Sequence, residues 1–268
     1  MKSIYIATVL LFKIASINAF SLPSFLAKRK DIWTPDTGDN WQPVLDGPFK
    51  FPKGGVRSLD PDISVYGLDL WSNNKFTINR LQKAGKHVIC SFSGGTVRAK
   101  DSDKKSFFKR DIGNPVDGSD GEKWLNVRSQ RVRKAMAKRV KLASDKGCDA
   151  ISPLNTNAYD DDTGFELSED DEIDYVGFLV DEAAKYQMSV GVEIGSIIAD
   201  IQDVASFFIG GSCDDYSSDG DGDNGDDDDS GDDWDPEDPN SCEFWQELID
   251  SGIPVFSTDG EVFKKSKV

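Results

Sequence analysis

Three carboxylates sit where acid–base chemistry could use them. Asp69 closes a short β-rich run, Glu193 lies within another, and Asp259 follows a third. Two such groups facing one another can give and take a proton at a reacting centre, so Asp69, Glu193 and Asp259 are the candidate catalytic residues. Asp149 opens a run rather than closing one, which assigns it to the wall or floor. Around the same strand ends lie Trp41, Tyr66, Trp71, Ser91, Ser93, Ser152, Asn155 and Tyr159, with Trp33 near the start. Their rings could stack on a flat ligand and their hydroxyls and amides could hydrogen-bond to it. Core or wall packing is the competing reading for each aromatic.

Other chemistries lack their residues. His87 is the one histidine of the chain, and it precedes a strand, at the end opposite a mouth. That excludes a Ser-His-Asp hydrolase and a multi-histidine metal site. No glycine-rich fingerprint follows the first strand, so a dinucleotide fold is excluded. Ser93-Gly94-Gly95 reads as close backbone packing rather than a nucleophile elbow. No cofactor and no resident metal are expected.

The 268 residues carry a formal charge of −17, concentrated in one place: positions 214–238 hold thirteen Asp, one Glu and no Lys or Arg. This stretch reads as a solvated charge run. Asp219, Asp221 and Asp223 hint at a calcium loop, but Asn224 and Ser230 stand where an EF-hand needs Gly and Glu, leaving weak calcium binding at 214–238 as the alternative. Such acidity repels phosphate and argues against nucleic acid. It suits a polycation drawn in by electrostatic steering.

The N-terminus reads as a signal peptide over residues 1–19, with Lys2, an apolar run Ile4–Phe12 and a small residue, Ala19, at the cut. Residues 20–32 then form a linker or pro-segment ending near the dibasic Lys28-Arg29. The expectation is a secreted chain with no membrane attachment after cleavage, most simply a monomer. Of four cysteines, Cys213 and Cys242 flank the acidic stretch and are paired as a disulfide closing its base. Cys90 and Cys148 fall in strands and are left open, as buried thiols or a second bridge.

The elements that must position these groups alternate in βαβ fashion. Strands are expected at 41–45, 64–71, 87–92, 124–127, 149–154, 189–194, 207–211 and 254–258. Helices are expected at 77–84, 129–146, from Ser168 to Tyr186, 199–206 and 243–251. Gly147 is the expected C-cap of the second, and Ser168 with Asp171 the capping box of the third. Eight strands with these crossovers make a single (β/α)8 TIM barrel over 33–262, with an acidic insertion after strand seven and a basic tail at 263–268.

A series of segments follows in order: Trp41-Gln42, Val65–Leu70, Val88–Gly95, Trp124–Arg128, Gly147–Asn155, Asn157–Tyr159, Thr163–Phe165 and Ser189–Val192. Together they resemble one glycoside hydrolase family, number 114, the endo-α-1,4-polygalactosaminidases and fungal α-galactosidase-like proteins. The resemblance implies acids at the positions of Gly67, Asn126, Ser152 and Leu154, Lys and Asn at Glu193 and Ile194, and Glu at Gly211. The implied catalytic pair falls at Ser152 and Gly211, neither of which can carry a proton or attack an anomeric carbon. Glycoside hydrolysis needs two carboxyls across the bond. The expectation is therefore a secreted protein binding galactosamine- or galactose-containing polysaccharide with hydrolysis impaired or lost. Two alternatives stand beside it: an active α-glycosidase using displaced carboxylates, and a non-catalytic interaction protein acting through its acidic stretch.

Overall fold

The computed structural model describes residues 32–159, 161–193, 195, 197–210 and 242–257. In chain order the strands are β1 (Trp41–Val44), β2 (Val65–Asp69), β3 (His87–Ser93), β4 (Thr96–Val97), β5 (Ile112–Pro115), β6 (Lys123–Leu125), β7 (Ala150–Leu154), β8 (Ser189–Glu193), β9 (Phe207–Gly210) and β10 (Val255–Ser257). The helices are α1 (Lys75–Lys83), α2 (Gln130–Lys146), α3 (Glu169–Ala184), α4 (Ile198–Ile201) and α5 (Cys242–Asp250). Seven strands form one parallel sheet in the order β1-β2-β3-β7-β8-β9-β10. It is a nearly closed, TIM-barrel-like sheet.

The expected fourth barrel strand is corrected here. Residues 124–127 were read as the fourth strand, but Trp124 and Leu125 belong to β6. That strand pairs antiparallel with β4 and β5 in a separate three-stranded sheet. β3 pairs directly with β7, with Ser91 opposite Ser152. The physical reason is its partners: Trp124 pairs with Thr96, Lys123 with Val97 and Leu125 with Ile112, so its backbone is satisfied on β4 and β5 instead.

Alternation along the parallel strands separates two cores. Val65, Ile89, Ala150, Phe207, Ile209 and Phe256 cluster with Trp41 inside the barrel. Val88, Cys90, Ile151, Val190 and Phe208 join the helices on the outside. Between β1 and β10 the gap is bridged by side chains. The Trp41 indole N–H donates to the Ser257 carbonyl at 2.7 Å, and the ring stacks on Phe256 at 5.0 Å. Gly67 makes this feasible, since a Cβ there would lie 2.3 Å from the Trp41 ring. The floor is completed by Trp33 stacked on His87 at 4.2 Å, at the start of β3.

Local signals behave as read. Gly147 caps α2 at φ 90, in the left-handed region. Ser168 and Asp171 form the capping box of α3. Cys90 and Cys148, left open by the sequence, are joined in a disulfide with Cα atoms 5.9 Å apart. The expected Cys213–Cys242 bridge, the acidic stretch and the tail at 263–268 lie outside the described residues, as does the signal peptide.

Trp41→Ala empties the floor and removes the bridge to β10. A buried Trp truncation costs about 3–5 kcal/mol, and urea unfolding at neutral pH is expected to read a loss of that size.

Candidate functional site

At the C-terminal ends of β3, β7 and β8 the chain builds a polar cluster centred on Asn155. This residue sits at φ 55, a left-handed conformation that Asn tolerates. Its backbone N–H donates to Glu193 Oε2, while its side-chain Nδ2 donates to Glu122 Oε1 at 3.1 Å. Glu122 Oε1 also accepts from Ser93 Oγ at 2.9 Å and from the Thr96 hydroxyl. One residue thus ties two carboxylates together at the mouth.

The close approach that permits this comes from Gly94 and Gly95. A Cβ on Gly95 would fall 1.9 Å from the Asn155 carbonyl oxygen, and one on Gly94 would press on Pro153 at 2.8 Å. The Gly94 N–H donates to the Leu154 carbonyl at 2.6 Å, and its own carbonyl accepts from the Tyr175 hydroxyl at 2.6 Å. The Ser-Gly-Gly run is therefore a packing device, as expected from its residue types.

Burial pushes the Glu193 carboxyl up to about 7, the Asn155 N–H opposes the rise, and the charge of Glu122 adds to it. A carboxyl poised there can hold or release a proton near neutrality, which is the property a general acid or base needs.

One inward step below this cluster, Ser91 and Ser152 stand opposite each other on β3 and β7, with Asp69 of β2 in register beside them. Ser152 is fully buried, and neither hydroxyl has a hydrogen-bond partner among the described residues. Asp69 is committed elsewhere. Its Oδ1 accepts the Ser72 N–H at 2.8 Å and its Oδ2 pairs with Arg98 at 3.2 Å. Arg98 continues to Asp101 at 3.0 Å, and buried Arg139 joins Asp101 at 3.2 Å to Asp103 at 2.8 Å. This chain of alternating charges pins residues 98–103 to the rim. Buried charges persist when paired and hydrogen-bonded in this way.

Of the candidate contacts, Ser93 and Asn155 join the cluster and Ser91 and Ser152 lie just beneath it. Trp41 is buried in the floor instead. Tyr66 points outward to the helices, edge-on to Phe49 at 5.2 Å. Trp71 is half-buried at the rim, its ring 5.4 Å from the Arg139 guanidinium. Tyr159 is partly buried against the outer core. Asp259 and Gly211 lie outside the described residues. Glu122, Arg98 and Arg139 were not singled out by the sequence. Glu122 is one of three acids in a polar hairpin with Asp117 and Asp120, and nothing local distinguishes it. Among the described residues no group of three or more His, Cys, Asp or Glu side chains is placed to hold a metal ion, and no helix is long and apolar enough to cross a membrane.

A nearly closed parallel sheet with two carboxyls gathered at its C-terminal mouth is a scaffold that suits glycoside hydrolysis, which needs two such groups. The model of glycoside-hydrolase family GH114 matches residues 23–261, and the chain belongs to that family. Among solved structures it is similar to Ega3 of Aspergillus fumigatus, in complex with galactosamine, at 33% identity and a TM-score of 0.70. That match covers 84% of this chain and 78% of Ega3. The glycoside hydrolase domain of PelA from Pseudomonas aeruginosa matches at 11% identity and a TM-score of 0.49, over 66% of this chain and 68% of that one. No curated protein matches the chain.

The position of Glu193 makes stability depend on pH. Between the ordinary carboxyl range near 4.5 and about 7, the folded chain keeps a proton that the unfolded chain has released. Stability therefore falls as pH rises through this window and levels off above it, by at most ~3 kcal/mol. Urea midpoints measured from pH 5 to 8 are expected to fall in the wild type and to stay nearly flat in Glu193→Gln.

Proposed function

We propose that this chain is a secreted, glycan-binding member of its family that takes galactosamine- or galactose-containing polysaccharide at the mouth and no longer hydrolyses it. The observation that carries this reading is the inner layer at Ser152. The resemblance puts a catalytic acid there, and the chain has a fully buried hydroxyl beside a second one, Ser91. Asp69, the acid in register with them, is tied to Arg98. The second implied acid is Gly211. No proton donor is left on the two strands that should supply it.

Binding has support of its own. Glu193 and Glu122 give the mouth an acidic lining, which suits the ammonium groups of a deacetylated amino-sugar polymer. Ega3 is seen with galactosamine. Secretion is supported by the N-terminal pattern and by the Cys90–Cys148 disulfide. A full (β/α)8 closure belongs to the same reading.

A second reading is favoured by Asn155. Because one residue holds both Glu193 and Glu122, the two carboxyls lie within reach of one glycosidic bond, and a displaced pair could act as acid and base.

Purified protein on partly deacetylated galactosamine polymer separates the two. The expected result is binding in a pull-down with no release of reducing ends at high protein concentration. Release that disappears in both Glu193→Gln and Glu122→Gln would establish the displaced pair instead. Absence of both binding and release would remove the glycan reading.

A further inference from the structure

Away from the mouth cluster, positive charge is sorted onto one face. Residues 98–146 hold fifteen of the 31 Lys and Arg and only seven acids. In the segment 98–111 the signs are separated by direction. Its three acids turn inward, with Asp101 and Asp103 on Arg98 and Arg139, and Asp111 on the Ser129 hydroxyl at 2.8 Å and Arg131 at 3.5 Å. Lys100, Lys104, Lys105, Lys109 and Arg110 all stay exposed. This segment lies along α2, because Arg131 reaches back to Asp111 and sits over the Phe108 ring at 3.9 Å.

On α2 itself Arg131, Lys134 and Lys138 are spaced three and four apart, so they share one stripe of the helix. Lys134 and Lys138 are exposed. Arg133 of α2 and Arg128 just before the helix face a different way and are neutralised by α3, on Asp174 at 2.6 Å and on Asp171 at 3.4 Å. The remaining face is continuous and cationic, and it carries Phe108, which is 54% exposed. It stands on a chain whose net charge is −17.

We propose that this face docks the chain's own acidic stretch, residues 214–238. The complement is direct: thirteen Asp and one Glu without a single Lys or Arg. The connection is long enough. The 31 residues between Gly210 and Cys242 span up to about 100 Å when extended. β9 lies only two places from β7 in the sheet, or about 10 Å at the usual strand spacing. Gly210 ends β9 at the same end of the barrel at which α2 begins, since helices between parallel strands run back from that end. Each exposed pair contributes little by itself. Docking therefore depends on many pairs at once and weakens steeply with salt. A cationic glycan would compete with this face for the acidic stretch.

Zero-length carbodiimide cross-linking of the full chain tests this, because the reagent joins only carboxyls and amines already in contact. An equal mixture of 14N- and 15N-labelled protein is treated at low salt and mapped by mass spectrometry. The expected result is links from Asp residues of 214–238 to Lys104, Lys105, Lys109, Lys134 or Lys138, within single isotope populations. They should fall at least fivefold in 0.5 M salt. Lys134→Gln with Lys138→Gln should also reduce the links to Lys104, Lys105 and Lys109. Equal labelling of the exposed Lys50, Lys53, Lys75 and Lys83 would overturn the proposal, as non-specific collapse. Mixed-isotope links would overturn it in favour of a second copy. Absence of any such link, with the chain retained on a polyanion resin, would overturn it in favour of an external polyanion.

Discussion

The barrel depends on how one indole is placed. Among the described residues the parallel sheet has seven strands and two edges, and edge backbone groups need partners. Trp41 supplies a donor to the Ser257 carbonyl on the far edge while its ring, stacked on Phe256, fills the interior between them. The same placement dictates other residues. Gly67 has no side chain because the ring occupies that space, and Gly191 is likewise bare because the Phe207 ring lies against it. The absence of an acid at Gly67 is thus coupled to packing in the floor, as well as to any change in chemistry at the mouth.

Above that floor, polarity rises layer by layer. Apolar rings give way to Ser91, Ser152 and Asp69, and then to Glu193, Asn155, Glu122 and Ser93. At the rim Glu193 and Glu122 share Asn155, and in the layer beneath Asp69 is held by Arg98 in a relay of charges reaching Asp103.

Electrostatics also organises the outer surface. Inward-facing acids in residues 98–111 neutralise arginines that anchor the rim, which leaves the lysines of that segment exposed without an acidic partner among the described residues. Structural pairing within the loop therefore creates the exposed cationic face as a by-product. The strongly acidic stretch elsewhere in the chain is its natural counterpart by charge.

Much of this was legible in the sequence, for physical reasons that act over short range. Strand alternation, the Gly147 cap, the Ser168–Asp171 box and the placement of His87 at the floor all follow from local backbone and side-chain preferences. The Ser-Gly-Gly run could be read as close packing because only residues without bulk allow it. The departures at Ser152 and Gly211 needed only a resemblance to be noticed. What tertiary structure alone decided involves residues distant in the chain. The short run 124–127 left the barrel because its partners were β4 and β5, which no local pattern announced. Cys90 found Cys148 across 58 positions. Trp41 and Tyr66, both read as sugar contacts, were drawn into the two cores by the parity of their strands. Glu122 became part of the mouth because a turn carried it to Asn155. A carboxylate's neighbours in space set its proton affinity, and those of Glu193 come from two distant segments, at Asn155 and at Glu122.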